Sequence, residues 1–331
     1  MDIELLTPIP GRKQTRWKQL LLRAGLTPED LPEQTALLWV VVTLAATGSR
    51  QGNILKYLAV DPDYQGEGLL AKVLTSLRQE AFLRGHRHLF LYTKPENEQL
   101  FRSLFFYPIA RTDRVLLMED QRGGLQRFLA NLPTHPSGIT AGAAVMNCDP
   151  FTLGHQYLIE TAAAECQRLY VFVLSEDRGR FSSRDRLQMV SLGTAHLPNV
   201  TVLPTGPYLI SAATFPTYFL KDREAAGQVH CQLDIAIFTQ HFAPRFNLRT
   251  RYVGTEPLSP MTARYNAALR EALPPLGIQV RELPRRTLGE IPVSASAVRA
   301  ALDAGQWETV KALVPPTTFH YLQSIQQEAY L

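Results

Sequence analysis

The sequence is short of cysteine, of long apolar runs and of any surplus of charge. Its three cysteines, Cys148, Cys166 and Cys231, are odd in number and widely spaced, which argues against a disulfide framework. No paired ligands accompany them, which argues against a zinc site, and no metal ligand is assigned. A reducing, cytoplasmic setting is the simplest expectation. The most apolar stretch, "ALLWVVVTLAAT", stops well short of a membrane span and is expected as one buried strand within residues 36–46. The first residues, "MDIELLTPIPGRKQ", lack a basic region leading into an apolar one, so no membrane association is expected. Lys and Arg number 34 against 30 Asp and Glu, a net charge of +4. Without a concentrated basic stripe, that balance predicts no nucleic-acid partner. There is also no internal repeat and no low-complexity tract.

What is present fits a chain of two domains: 331 residues with 45% hydrophobic content can bury a substantial core. Residues 1–120 alternate helix and strand patterns, with helices near 14–24 and 67–84 and strands within 53–60 and at "HLFLYT", the signature of an α+β unit. Residues 121–137 are polar and carry glycine and proline, so they are read as a linker with a short helix inside. From 138 to 331 the strands become nearly continuous apolar runs: "ITAGAAVM", "RLYVFVLS", "NVTVLP", "LDIAIFT", "TRYVG" and "IQVREL". Such runs between helical stretches predict a parallel sheet covered on both faces, an α/β domain of Rossmann-like type. Ligands of such sheets collect beyond the carboxyl ends of the strands.

One strand end concentrates the chemistry. "AGAAVMNCDPFTLGH" closes the first strand with Asn147, Asp149 and Pro150 before a helix that opens near Leu153. Gly154 allows close approach, and the N–H groups and dipole of the first turn favour an anion. His155 could donate to a phosphate oxygen or serve as an ordinary cap, and Thr152 offers a hydroxyl. Far downstream, "IPVSASAVRAAL" places Ser294 and Ser296 at a second helix start, with Arg299 three residues on. Hydroxyls, helix N–H groups and a guanidinium can then converge on one polyphosphate. Between them, "DRGRFSSRDRLQMV" carries Arg178 and Arg180 ahead of a capping box of Ser182 and Asp185,. Arg178, Arg180, Arg184 and Arg186, and again Arg281, Arg285 and Arg286, suit a small polyanion or a solvated helix face. Lys221 in "SAATFPTYFLKD" is a further cation.

"TLGH" and "VSASAVR" resemble the (H/T)xGH and ISxSxxR signatures of the nucleotidylyltransferase superfamily, with Val293 in place of Ile. The resemblance implies that His155 and Thr152, with Gly154, contact the attacked phosphate. By the same token Ser294, Ser296 and Arg299 hold the departing pyrophosphate, and Arg180, in a stretch that resembles the superfamily's phosphate-facing loop, could reach the triphosphate; Lys221 is either a further phosphate or carboxylate partner or an ordinary exposed lysine. In the front domain, Gln65, Gly66 and Gly68 in "YLAVDPDYQGEGLLAKVLTSL" resemble the pyrophosphate loop of GNAT-type acetyltransferases, with Leu70 where that loop has a small residue. "NEQLFRSLFFYPI" is similar to that fold's late helix and strand.

The pairing of these two domains, with "MNCDPFTLGHQYLIE", "TFPTYFLK" and "RYVGTEP", closely resembles the citrate lyase ligase family across nearly the whole chain. That resemblance implies an ATP- and magnesium-dependent ligase that makes acetyl-adenylate from acetate and releases pyrophosphate. It then acetylates the coenzyme-A-like prosthetic thiol on the acyl-carrier (gamma) subunit of citrate lyase. The front domain would bind the prosthetic arm. Cys148 raises the option of an acetyl relay, against the simpler one of a buried thiol. Two alternatives stay open: a plain nucleotidylyltransferase of the phosphopantetheine adenylyltransferase type, and a nucleotide-sensing binding module.

Overall fold

A computed structural model describes all residues except 137, 178, 210–214, 221–225, 256–258, 285–286, 289–290 and 329–331. The chain forms two compact units. The first is Met1–Leu125 together with Phe215–Leu233, and the second is Gln126–Thr214 with Asp234–Leu331. The stretch expected as a linker holds a helix, Gly124–Asn131, and the return of Phe215–Leu233 to the first unit has no counterpart in a reading of contiguous segments.

In the first unit the order is β1 (Asp2–Leu6), α1 (Gly11–Arg23), β2 (Gln34–Val40), β3 (Thr43–Gln51), β4 (Ile54–Val60), α2 (Leu69–Leu83), β5 (Phe90–Thr93), α3 (Glu98–Ser103), β6 (Tyr107–Arg111) and β7 (Leu116–Glu119). The strands make one sheet in the order β1-β2-β3-β4-β5-β7-β6. All neighbours are antiparallel except β4 and β5, which pair in parallel only at Ile54–Phe90 and Leu55–Leu91. Beyond those two positions the strands part. Helix α2 lays Leu69, Val73, Leu74, Leu77 and Ala81 on the sheet, the three-and-four spacing of one helical face.

Two expectations are corrected here. "ALLWVVVTLAAT" is not one strand but a hairpin: Val40 pairs with Thr43, and Val41 and Val42 turn between β2 and β3 with 89% and 74% exposure. Val41 has φ +55, a conformation valine rarely adopts. In the second unit, "LDIAIFT" is helical.

The elements that follow in chain order, all in the second unit except the first residues of α4 and of α7, are α4 (Gly124–Asn131), β8 (Ala141–Met146), α5 (Leu153–Glu165), β9 (Leu169–Val173), α6 (Ser183–Thr194), β10 (Val200–Pro204), α7 (Ala226–Ile237), α8 (Ala243–Phe246), β11 (Leu248–Gly254), α9 (Pro260–Ala272), β12 (Gln279–Leu283), α10 (Ala295–Asp303), α11 (Trp307–Leu313) and α12 (Pro316–Glu328). "LDIAIFT" lies in α7 and the turn of π-helix that follows it. Leu233, Asp234, Ile235, Ile237 and Phe238 are all buried, and a helix apolar on nearly every side loses the periodicity that separates it from a buried strand. The main sheet has five strands, all parallel, in the order β10-β9-β8-β11-β12; a separate two-residue antiparallel ladder pairs Thr287–Leu288 with Ile291–Pro292. The first strand is thus central, and the next connections leave it to opposite sides. The gap between the ends of β8 and β11 is the switch point at which such sheets bind ligands.

Candidate active site

Thr152 is the N-cap of α5. Its hydroxyl accepts from His155 N–H at 3.3 Å, and His155 Nδ1 in return accepts from Thr152 N–H at 3.1 Å. This is a complete capping box in which histidine replaces the usual Glu or Gln,. The arrangement has a chemical consequence. With Nδ1 acting as acceptor the neutral ring carries its proton on Nε2, so the helix cap sets the tautomer. The Phe151 ring stacks on the imidazole at 5.9 Å and 14° and limits its rotation. Thr152 is 1% exposed, with its hydroxyl also 3.0 Å from Nδ1; its side chain holds the ring in place.

Gly154 brings the distant second motif to this point. A Cβ there would lie 3.2 Å from the Val293 carbonyl oxygen, tighter than ordinary packing, so glycine lets the start of α5 abut the chain entering α10. Ser294 caps α10 by accepting from Ala297 N–H at 3.1 Å. The two helix N-termini therefore stand side by side at the switch point. They open on a cavity of about 240 Å³ lined by Thr152, Gly154, His155 and Ser294 and, on the sheet side, by β8 and β11.

Ser296, Arg299 and Arg180 do not line that cavity; they form an adjoining cluster around Asp149. Arg299 donates Nη2 to the Ser296 hydroxyl at 3.1 Å and Nη1 to the Asp149 carbonyl, and lies 3.6 Å from the Asp149 carboxylate. That carboxylate, 5% exposed, accepts from the Arg180 and Phe181 amides at 3.1 and 2.9 Å. The Arg180 guanidinium pairs with Asp303 and reaches the Arg299 carbonyl.

The remaining arginines divide. Arg186 is fully buried and donates to the Asn147 carbonyl and side chain at 2.9 and 2.7 Å and to the Phe181 carbonyl at 3.2 Å. It braces the strand end and cannot meet a ligand. Arg281 pairs with Glu165 at 3.1 Å. Arg178, Lys221, Arg285 and Arg286 lie outside the described residues. Ser182 caps α6 as expected, accepting from Asp185 N–H at 3.1 Å. The reciprocal half differs: the Asp185 carboxylate takes the Ser182 and Tyr321 hydroxyls at 2.6 and 2.8 Å. Cys148 is 1% exposed, and burial pushes its thiol far up from the usual range, against the lowering effect of Arg186.

In the first unit, Gln65, Gly66 and Gly68 form an exposed loop after β4. Gly68 caps α2 with φ +68, left-handed backbone that a side chain would strain. Leu70 is partly buried against the core and lines the same cavity as the loop. This loop, the parted ends of β4 and β5, and Tyr218 and Phe219 surround a cavity of about 770 Å³.

Two residues were not singled out from the sequence. Asp149, quoted only as part of the strand end, is the acceptor that organises the arginine cluster. Arg251, read as part of an apolar strand, lines the cavity with His155. Its signal was a charge inside a strand buried on both faces.

A parallel sheet with a 3-2-1-4-5 strand order, whose switch-point cavity is flanked by two capped helix N-termini, defines a Rossmann-like domain with a site suited to an anion. Residues 141–322 match the family described as citrate lyase ligase C-terminal domain. The chain is 42% identical over 293 residues to the citrate (pro-3S)-lyase ligase of Klebsiella pneumoniae, covering 87% of this chain and 86% of that one. It is 39% identical over 319 residues to that of Escherichia coli K12, covering 92% and 90%. For the front unit, the crystal structure of Escherichia coli ElaA aligns over 36% of this chain and 99% of its own with 12% identity and a TM-score of 0.32. The chain belongs to the citrate lyase ligase family.

Proposed function

We propose that this enzyme activates acetate with ATP and passes the acetyl group to the prosthetic thiol on the acyl-carrier (gamma) subunit of citrate lyase, switching that lyase on. The observation that carries this reading is the junction of the two helix starts, where His155 is fixed with its donor on Nε2 beside the N–H groups of α5 and α10.

Acetate's carboxylate attacks the α-phosphorus of ATP as pyrophosphate departs; the thiol then attacks the acetyl carbonyl and AMP leaves. No protein nucleophile is needed, and buried Cys148 does not supply one. The site's task is to align the two substrates and neutralise charge building on phosphate oxygens. His155 Nε2–H and the amides of α5 face the α-phosphate, with Thr152 positioning the ring. Ser294, Ser296 and Arg299 take the pyrophosphate, supported by Asp149, with Arg180 beside them and Lys221 as a further cation. Magnesium travels with the triphosphate: among the described residues no group of three or more His, Cys, Asp or Glu could hold it alone, and Mg²⁺ in such sites is bound largely by substrate phosphates.

The front cavity receives the coenzyme-A-like arm, its pyrophosphate on Gln65, Gly66 and Gly68. A cytoplasmic location follows from the need for ATP and reduced carrier thiol, and no described helix is long and apolar enough to cross a membrane.

The test is exchange of labelled pyrophosphate into ATP with and without acetate, followed by mass spectrometry of the carrier. Acetate-dependent exchange and an acetylated carrier are expected. Exchange that instead requires a phosphomonoester acceptor would assign the site to the simpler nucleotidylyltransferase, and tight ATP binding without turnover to a sensor.

A further inference from the structure

The floor of the switch-point cavity contains a cation that has no counter-charge among the described residues. Arg251 sits in β11, paired in register with Ala143 of β8 and Val280 of β12, and is 2% exposed. Its Nε and Nη1 are buried without a hydrogen-bond acceptor. Among the described residues its side chain makes no ion pair or hydrogen bond, and the Phe238 ring centroid lies 4.6 Å from the guanidinium carbon. Asp234, one helical turn before Phe238, is taken by the Tyr265 hydroxyl. Removing a guanidinium from water without an anion is costly, and a cation–π contact offsets only part of that cost.

We propose that Arg251 is the counter-charge for the carboxylate of the acid substrate, a small monocarboxylate bound at the bottom of this cavity. This rests on the adenylating function proposed above. Phosphates already have a place at the mouth, on the α5 and α10 N-termini. Arg251 lies three residues before the end of β11, level with Ala143, and lines the cavity together with Ala144 and Val145, whose small apolar side chains suit a methyl group. A planar guanidinium matches a carboxylate in geometry and holds one at neutral pH without titrating. The buried charge thus waits for a ligand that supplies the missing acceptor.

The experiment compares Arg251→Met and Arg251→Lys with the parent in acetate-dependent pyrophosphate exchange and in thermal melts. The melts are run with α,β-methylene-ATP in sodium acetate or in sodium chloride at equal ionic strength. Truncating one partner of a buried charge pair predicts a rise in the acetate KM of at least about thirtyfold in Arg251→Met. The ATP KM should stay within about twofold, since its phosphate contacts are elsewhere. Arg251→Lys, which keeps the charge without the fork, should fall between. In chloride, Arg251→Met should melt at or above the parent temperature because no unpaired charge is buried, and only the parent and Arg251→Lys should be stabilised by acetate. A weakened ATP KM with an unchanged acetate KM would assign the charge to phosphate and overturn the proposal. Unchanged values for both would make Arg251 a packing residue. A parent enzyme with no acetate-dependent exchange refutes the adenylation reading instead, while the acetate-specific melt shift still reports on Arg251.

Discussion

His155 joins a helix cap to the phosphate-facing donor proposed above, and the two can be separated by choice of side chain. In His155→Ala the Thr152 N–H, at a residue 1% exposed, loses the acceptor that Nδ1 provides at 3.1 Å. Losing half of a capping box at a buried helix start costs about 1–2 kcal/mol. For a unit of this size that lowers the melting temperature by about 2–8 °C. The same variant removes the Nε2 donor, which predicts at least about a hundredfold slower adenylation, roughly 3 kcal/mol of transition-state stabilisation. His155→Gln divides the effects. Glutamine is a natural third residue of a capping box, so its carbonyl takes over the Thr152 N–H and restores the melting temperature, while its amide does not reproduce the rigid ring's donor and turnover stays low. Melts by circular dichroism and pyrophosphate exchange at saturating ATP measure both. An adenylation rate near that of the parent in either variant would remove His155 from the chemistry. A glutamine variant as unstable as the alanine one would refute the cap.

Other perturbations follow from the same geometry. Asp149→Asn removes the charge facing Arg299 at 3.6 Å and weakens acceptance from two amides; about a tenfold or larger loss in kcat/KM is expected, with the stability cost read separately by melting. Gly193→Ala would put a Cβ 2.3 Å from the Phe151 ring; overpacking of about 1–3 kcal/mol is expected, and an unchanged melting temperature would contradict the packing beneath His155. Gly68→Val strains left-handed backbone at the head of α2 and should impair acetyl transfer to the carrier while sparing pyrophosphate exchange; equal loss of both would argue against a separate arm site. Cys148→Ser should keep ligase activity, and iodoacetamide should leave Cys148 unlabelled in the folded protein, since burial keeps the thiol protonated; loss of the thioester product alone would revive the relay.

The sequence carried the family and the two capped helix starts because caps and glycines are local signals, legible within four or five residues. It misled where tertiary packing decides. Val41 and Val42 have no turn chemistry, so a hairpin passed for one strand. "LDIAIFT" is buried on too many sides to show a helical period. Arg186 and Arg281 stayed open between a polyanion site and a solvated face because sequence counts charges and not their partners, here backbone carbonyls and Glu165. Arg251 was passed over for the converse reason, since only the assembled sheet reveals a charge that lacks one.

The return of Phe215–Leu233 to the first unit bears on how the protein is made. A ribosome releasing the chain from its amino end has produced the whole seven-stranded sheet long before it produces Tyr218, whose hydroxyl donates to the Tyr92 carbonyl at 3.1 Å and whose ring rests on Tyr57 at 4.6 Å. The front unit therefore waits, with an open aromatic seat, until about two thirds of the polypeptide has emerged. Severing the gene after the first hundred and twenty codons would strand that seat on one product and its occupant on the other.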